Sequence, residues 1–223
     1  MITVIGGTKG GSGKSTVATN LAVMLANAGR DVLLVDADDQ ETSMDFTNLR
    51  NASRPEGAGY TCVALTGRAV LTEVKRLAPK YQDIIVDTGG RDTASQRAAL
   101  AVCDTYLVPF APRSFDVWTL DKVASLVEEA RDINPDFRAF AFINRADPRG
   151  SLNTEAAELI KSKPALEFIS VGLGNRIAFA NAAAAGLSVV EMKTLDPKAV
   201  EEIGILFGYL FNTPRISNLK GAA

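Results

Sequence analysis

The sequence predicts an α/β fold: a doubly wound, mostly parallel sheet with helices on both faces. Three observations carry this. Short, nearly all-apolar runs recur along the chain, as expected of parallel strands covered on both sides. Stretches with apolar residues at helical spacing lie between them, giving the strand–helix alternation of a crossover sheet. The first run, 2–5, leads into the glycine-rich segment 8–16 and then into a helical pattern. With 223 residues, 47% of them hydrophobic, the chain can bury a sizeable core, and one domain is expected over 1–211 with a short tail at 212–223.

The elements follow in order. After the glycine-rich segment, Val17, Leu21, Leu25 and Ala28 hold one helical face, and Gly29 is placed to end that helix. The run 31–36 is a second strand, and 51–59, with Ser, Pro and two Gly, is the most loop-like segment. Further strands are expected at 83–87, 105–109, 137–143 and 166–171, with helices at 93–102, 116–131 and 152–163. No stretch approaches the ~18 apolar residues of a membrane span, and no signal peptide is expected. Cys62 and Cys103 lack metal spacing and read as buried thiols in a reducing cytoplasm. Histidine is absent, which excludes His-based catalysis or metal binding.

The segment Lys9-Gly10-Gly11-Ser12-Gly13-Lys14-Ser15-Thr16 has the composition and context of a phosphate-binding loop. Its glycines let several N–H groups converge on phosphate oxygens, and the following helix adds the positive end of its dipole. Lys14 would reach the β- and γ-phosphates, and the Ser15 hydroxyl could ligate Mg²⁺. These features place the fold in the P-loop NTPase type and imply ATP and Mg²⁺ as ligands.

The loop departs from the usual pattern, because Thr8 stands where a glycine is expected and a second lysine, Lys9, follows. This resembles the deviant Walker A motif of the ParA/MinD ATPase superfamily. The resemblance implies a nucleotide-sandwich homodimer in which Lys9 reaches the partner's nucleotide, so Lys9, Lys14 and Asp38 are its catalytic candidates. Asp36-Ala37-Asp38-Asp39-Gln40 is similar to the family's D-x-D-P-Q segment, with Asp39 in the proline's place. It implies that Asp36 approaches Mg²⁺ through water and that Asp38 positions or activates the attacking water. The strand ending at Asp87 matches a Walker B strand, with Asp87 a magnesium group beyond the direct ligands, and Thr88-Gly89-Gly90 follows as a switch.

Later segments extend the resemblance. Asn144 and Arg145 sit where the family places adenine-facing residues, although either could instead cap a strand end. Arg176, Phe179, Ala182, Gly186 and Glu191 match a C-terminal family stretch, and 172–174 is a candidate to close over the base. The tail, broken by Pro214, does not resemble the membrane-binding helix of MinD-type proteins, and no membrane partner is expected. What remains is the short ParA type, including carboxysome-positioning relatives.

The resemblance implies a nucleoid-associated protein of the cytoplasm. It would bind DNA non-specifically as an ATP dimer and respond to an adaptor of ParB type or equivalent. Residues 1–137 carry 14 basic and 18 acidic groups, whereas 138–223 carry 10 and 8. Arg149, Lys161, Lys163, Arg176, Lys193, Lys198 and Arg215 could therefore form a basic face, with Arg176 and Lys198 as the DNA candidates. A membrane-associated positioning ATPase and a metabolic enzyme using the same loop stay open as alternatives.

Overall fold

The computed structural model describes residues 1–112, 117–147 and 151–211. Arg149, Arg215 and the tail 212–223 lie outside the described residues. Among the described residues eight strands form the sheet: β1 (Ile2–Ile5), β2 (Val32–Ala37), β3 (Thr61–Ala64), β4 (Asp83–Thr88), β5 (Thr105–Phe110), β6 (Arg138–Ala146), β7 (Glu167–Phe168) and β8 (Leu173–Gly174). The order is β3-β2-β4-β1-β5-β6-β7, with β8 also on β6, and every pairing is parallel.

Strand residues alternate between two cores, which is why these strands read as continuous apolar runs. Val4, Leu33, Val35, Ile84 and Val86 face one side. There they pack beneath α3 (Arg68–Leu77), α4 (Ala94–Leu100), α5 (Val117–Arg131) and α6 (Leu152–Lys161). Ile5, Leu34, Ile85 and Leu107 face the other, beneath α1 (Lys14–Asn27), α7 (Ile177–Ala184) and α8 (Pro197–Phe211). Helices therefore cover both faces. The expected stop at Gly29 is a Schellman turn: Gly29 (φ 74°) and Arg30 donate to Ala26 and Leu25 carbonyls at 2.9 and 3.2 Å.

Three local expectations need correction. The expected strand at 166–171 shrinks to β7 at 167–168, and a second short piece, β8, lies beyond it at 173–174, because only Phe140 and Ala141, then Asn144 and Ala146, offer partners along β6. Residues 51–53 are helical, closing α2 (Thr42–Ser53), and only the remainder of 51–59 is loop. Cys62 is half-buried on edge strand β3, whereas Cys103 is buried; burial pushes both thiols up, Cys62 to about 11.

Candidate functional site

Strand β1 ends in the middle of the sheet, between β4 and β5, where the chain switches direction across it. Ligands of such sheets sit at this point, at the carboxyl ends of the strands. The loop that follows delivers α1 with Gly13 as its N-cap in the left-handed region (φ 91°) and with no side chain capping its first N–H groups. Those donors are left for an anion. A side chain at Gly13 would also collide with the Asn144 amide.

The loop opens onto a cleft of about 750 Å³ lined by Gly10, Gly11, Gly13, Lys14, Ser15, Thr16, Asp38, Gly89, Gly90 and Arg145 among others. Lys14 is buried, and Nζ donates to the Lys9 carbonyl at 3.2 Å, so the ammonium spans the loop it would share with phosphate. Burial pulls its pKa below the ordinary lysine value, while the charges of Asp87 and Asp38 act against that. Ser12 Oγ is buried without a hydrogen-bond partner among the described residues.

The carboxylates come from neighbouring strands. Asp36 of β2 and Asp87 of β4 stand side by side in register, both buried. Burial raises the pKa of each, Asp87 to about 7, and the Asp36 charge adds to the rise at Asp87. The hydroxyls of Ser15 and Ser43 and the Lys14 ammonium oppose it at Asp87. Asp36 accepts backbone N–H bonds from Met44 at 2.8 Å and Asp38 at 3.2 Å. Asp87 Oδ2 accepts from Ser43 Oγ at 2.7 Å, and Oδ1 has no hydrogen-bond partner among the described residues. Asp38 is half-buried and lies against the switch, with Oδ1 3.2 Å from where a Cβ on Gly89 would stand.

The switch touches the phosphate loop directly. A Cβ on Gly90 would fall 2.6 Å from Gly10 N, so only glycine lets the two segments meet. Thr88, in contrast, is buried beneath the loop, with Oγ1 3.1 Å from both the Ile5 carbonyl and Gln96 Oε1. Gln96 Nε2 donates to the Tyr106 hydroxyl at 3.2 Å. This polar layer under the loop was missed in the sequence, where Gln96 and Tyr106 sit in unremarked helix and strand.

Some expected site residues are placed differently. Asn144 is buried and its Nδ2 donates to the Ser12 carbonyl at 2.6 Å. One of its two amide N–H groups therefore braces the phosphate loop. Arg145 is exposed at the cleft in the left-handed region (φ 55°). Residues Gly172 and Gly174 line a separate recess of about 310 Å³ with Asp147, Arg176 and Glu202. Arg176 Nε donates to Glu202 Oε2 at 2.9 Å and Nη2 to Oε1, which staples it to α8. Lys161 and Lys163 pair with Glu158 and Asp121, whereas Lys193 and Lys198 are exposed.

Comparison with known proteins agrees with this geometry. Residues 3–190 match the model of the CobQ/CobB/MinD/ParA nucleotide-binding domain. The chain belongs to that family. Among its relatives is the maintenance of carboxysome distribution protein A of Halothiobacillus neapolitanus, 27% identical over 87% of this chain and 89% of that protein. The protein of the same name from Gloeobacter kilaueensis is 27% identical over 90% and 88%. The fold is shared with an ATP complex of a Cyanothece McdA variant, at a TM-score of 0.75 and 16% identity, covering 97% of this chain and 98% of that one. A Borrelia burgdorferi plasmid partition protein bound to AMPPNP gives 0.74 and 19%, over 95% and 99%. Within the family domain, no helix among the described residues is long and apolar enough to cross a membrane.

Proposed function

We propose that this protein is a ParA-type, Mg²⁺-dependent ATPase whose ATP-bound homodimer binds nucleoid DNA without sequence preference and positions or segregates a large cargo. An adaptor of ParB type or equivalent would stimulate hydrolysis. The observation that carries the reading is the meeting, in one cleft, of the uncapped end of α1, Lys14, Asp38 and a switch glycine packed on the loop backbone. The two carboxysome-distribution relatives, alike over most of this chain, favour a protein organelle as cargo.

In this reading Lys14 exchanges the Lys9 carbonyl for the β- and γ-phosphates, and the loop N–H groups hold the remaining oxygens. Lys9 crosses to the partner's nucleotide and stabilises charge that develops on the γ-phosphate. Asp38 orients the attacking water, whose addition to the γ-phosphorus releases ADP and phosphate. Gly89 and Gly90 report loss of the γ-phosphate because they lie on Asp38 and the loop. The residues fit Mg²⁺: Ser15 offers a hydroxyl, Asp87 Oδ1 is buried with no hydrogen-bond partner among the described residues, and Asp36 stands beside it. The ion supplies neutralising charge on the phosphate oxygens.

Isothermal titration of ATP and light scattering test the reading together. ATP should bind and should convert monomer to dimer. A chain that binds ATP but stays monomeric would shift the reading to a metabolic enzyme on the same fold, and one that binds no ATP would end it.

A further inference from the structure

We propose that Ser43 is a positioning residue for the metal half of this site, holding Asp87 by one oxygen so that the other is reserved for the cation. The inference rests on the nucleotide reading above. The two oxygens of Asp87 are unlike: Oδ2 accepts from Ser43 Oγ at 2.7 Å, whereas Oδ1 is buried with no hydrogen-bond partner within reach among the described residues, the nearby Ser15 hydroxyl acting on the carboxylate from outside that reach. A buried acceptor left unsatisfied is destabilising. Such an atom beside the loop hydroxyl of Ser15 points to a ligand that engages it.

Ser43 is itself fully buried, so no solvent competes for its hydroxyl. It stands in the first turn of α2, and that turn is anchored a second time, by the Met44 N–H on Asp36 Oδ2 at 2.8 Å. Because Asp36 and Asp87 are neighbours in register, one helix end grips both carboxylates, one through main chain and one through a side chain. The helix has no side-chain N-cap, and its preceding residue, Glu41, is held in the left-handed region (φ 49°). A strained entry persists only where the surroundings fix it, and here the two carboxylates do so. Without the Ser43 hydroxyl, the terminal torsion of Asp87 has only broad, shallow wells, and its oxygens would no longer be distinguished.

Manganese binding to the ADP complex, read by electron paramagnetic resonance, tests this without hydrolysis. Ser43→Ala should weaken Mn²⁺ about tenfold, as loss of a partner to a metal-site group does, and leave metal-free ADP affinity unchanged. Ser43→Thr, which keeps the hydroxyl, should bind Mn²⁺ as the native chain does. In an Asp87→Asn background Ser43→Ala should cost nothing further, because the effect runs through that carboxylate. If Ser43→Ala does not fold, Ser43→Cys, a near-isostere with a weak donor, should show the same loss. Unchanged Mn²⁺ affinity, or an equal loss in both backgrounds, would overturn the inference. A native chain that takes up no Mn²⁺ with ADP overturns the nucleotide reading itself, and that failure is visible before any substitution is made.

Discussion

Replacing Lys14 should separate nucleotide binding from folding. Its ammonium is buried at a desolvation cost that the charges of Asp87 and Asp38 only partly offset, so the empty protein gains little from the charge. Lys14→Ala should therefore lose ATP affinity roughly 100-fold, the scale of a charge-assisted contact, with an unchanged melting temperature. Lys9→Ala should bind ATP as a single chain but dimerise weakly, which light scattering would separate from the first effect. Asp38→Ala should slow turnover and leave a persistent ATP dimer; a monomer with normal turnover would remove Asp38 from the mechanism. Gly90→Ala is the most local test. An added methyl would meet Gly10 backbone at 2.6 Å, and that backbone has no rotamer with which to yield. ATP affinity should fall while the circular dichroism spectrum stays native.

At the scale of the element, α2 links the two ends of the chain. Arg50 is buried and bonds Glu191 through both terminal nitrogens, at 2.7 and 2.8 Å, and its Nε donates to the Ala58 carbonyl at 2.8 Å. Burial alone would raise the Glu191 pKa, but hydrogen bonds from Arg50, the Ser188 N–H and Asn27 hold it down at about 2. A depressed carboxylate stabilises the fold above its unfolded pKa and loses that contribution as pH falls through its folded value. The pair should thus contribute up to about 3 kcal/mol at neutral pH, lost from roughly pH 4.5 down to 2. Denaturant unfolding of Glu191→Gln should show a deficit at pH 7 that narrows toward pH 2. Arg50→Ala should cost more, about 3 kcal/mol, since it removes the buried partner of a largely buried carboxylate and leaves it only the half-buried Arg54 as a counter-charge.

For the whole molecule, the decisive measurement is DNA retention against salt. The chain carries a net charge of −2, so a single copy has little to hold a polyanion. Two copies double the phosphate contacts, and each contact releases counterions. Binding should need ATP, ignore sequence and weaken steeply as salt rises. Lys193→Ala with Lys198→Ala should weaken it without altering ATP affinity, since both side chains are exposed. Arg176→Ala is a poorer test. It breaks the pair with Glu202 and should destabilise the fold by about 1 kcal/mol, which melting would reveal.

The sequence by itself determined the parallel sheet and the phosphate loop, whereas Asp36, Asp38 and Asp87 are legible only through the family resemblance. Each is a local matter: strands buried on both faces must be apolar throughout, and a loop that curls round phosphate must be glycine-rich between strand and helix. Edge strand β3 and helix α2 lacked such a signal, because β3 is short and half-exposed and α2 carries mixed polarity. Tertiary structure alone decided the partners. Asn144 meets Ser12 across 132 positions, Arg50 meets Glu191 across 141, and Ser43 meets Asp87 across 44. Residue type shows that a buried amide, guanidinium or hydroxyl needs a partner, but only the folded chain selects which one. That selection turned Asn144 into a brace for the loop and Arg176 into a staple for α8, because each buried or half-buried donor engages the acceptor that packing places within reach.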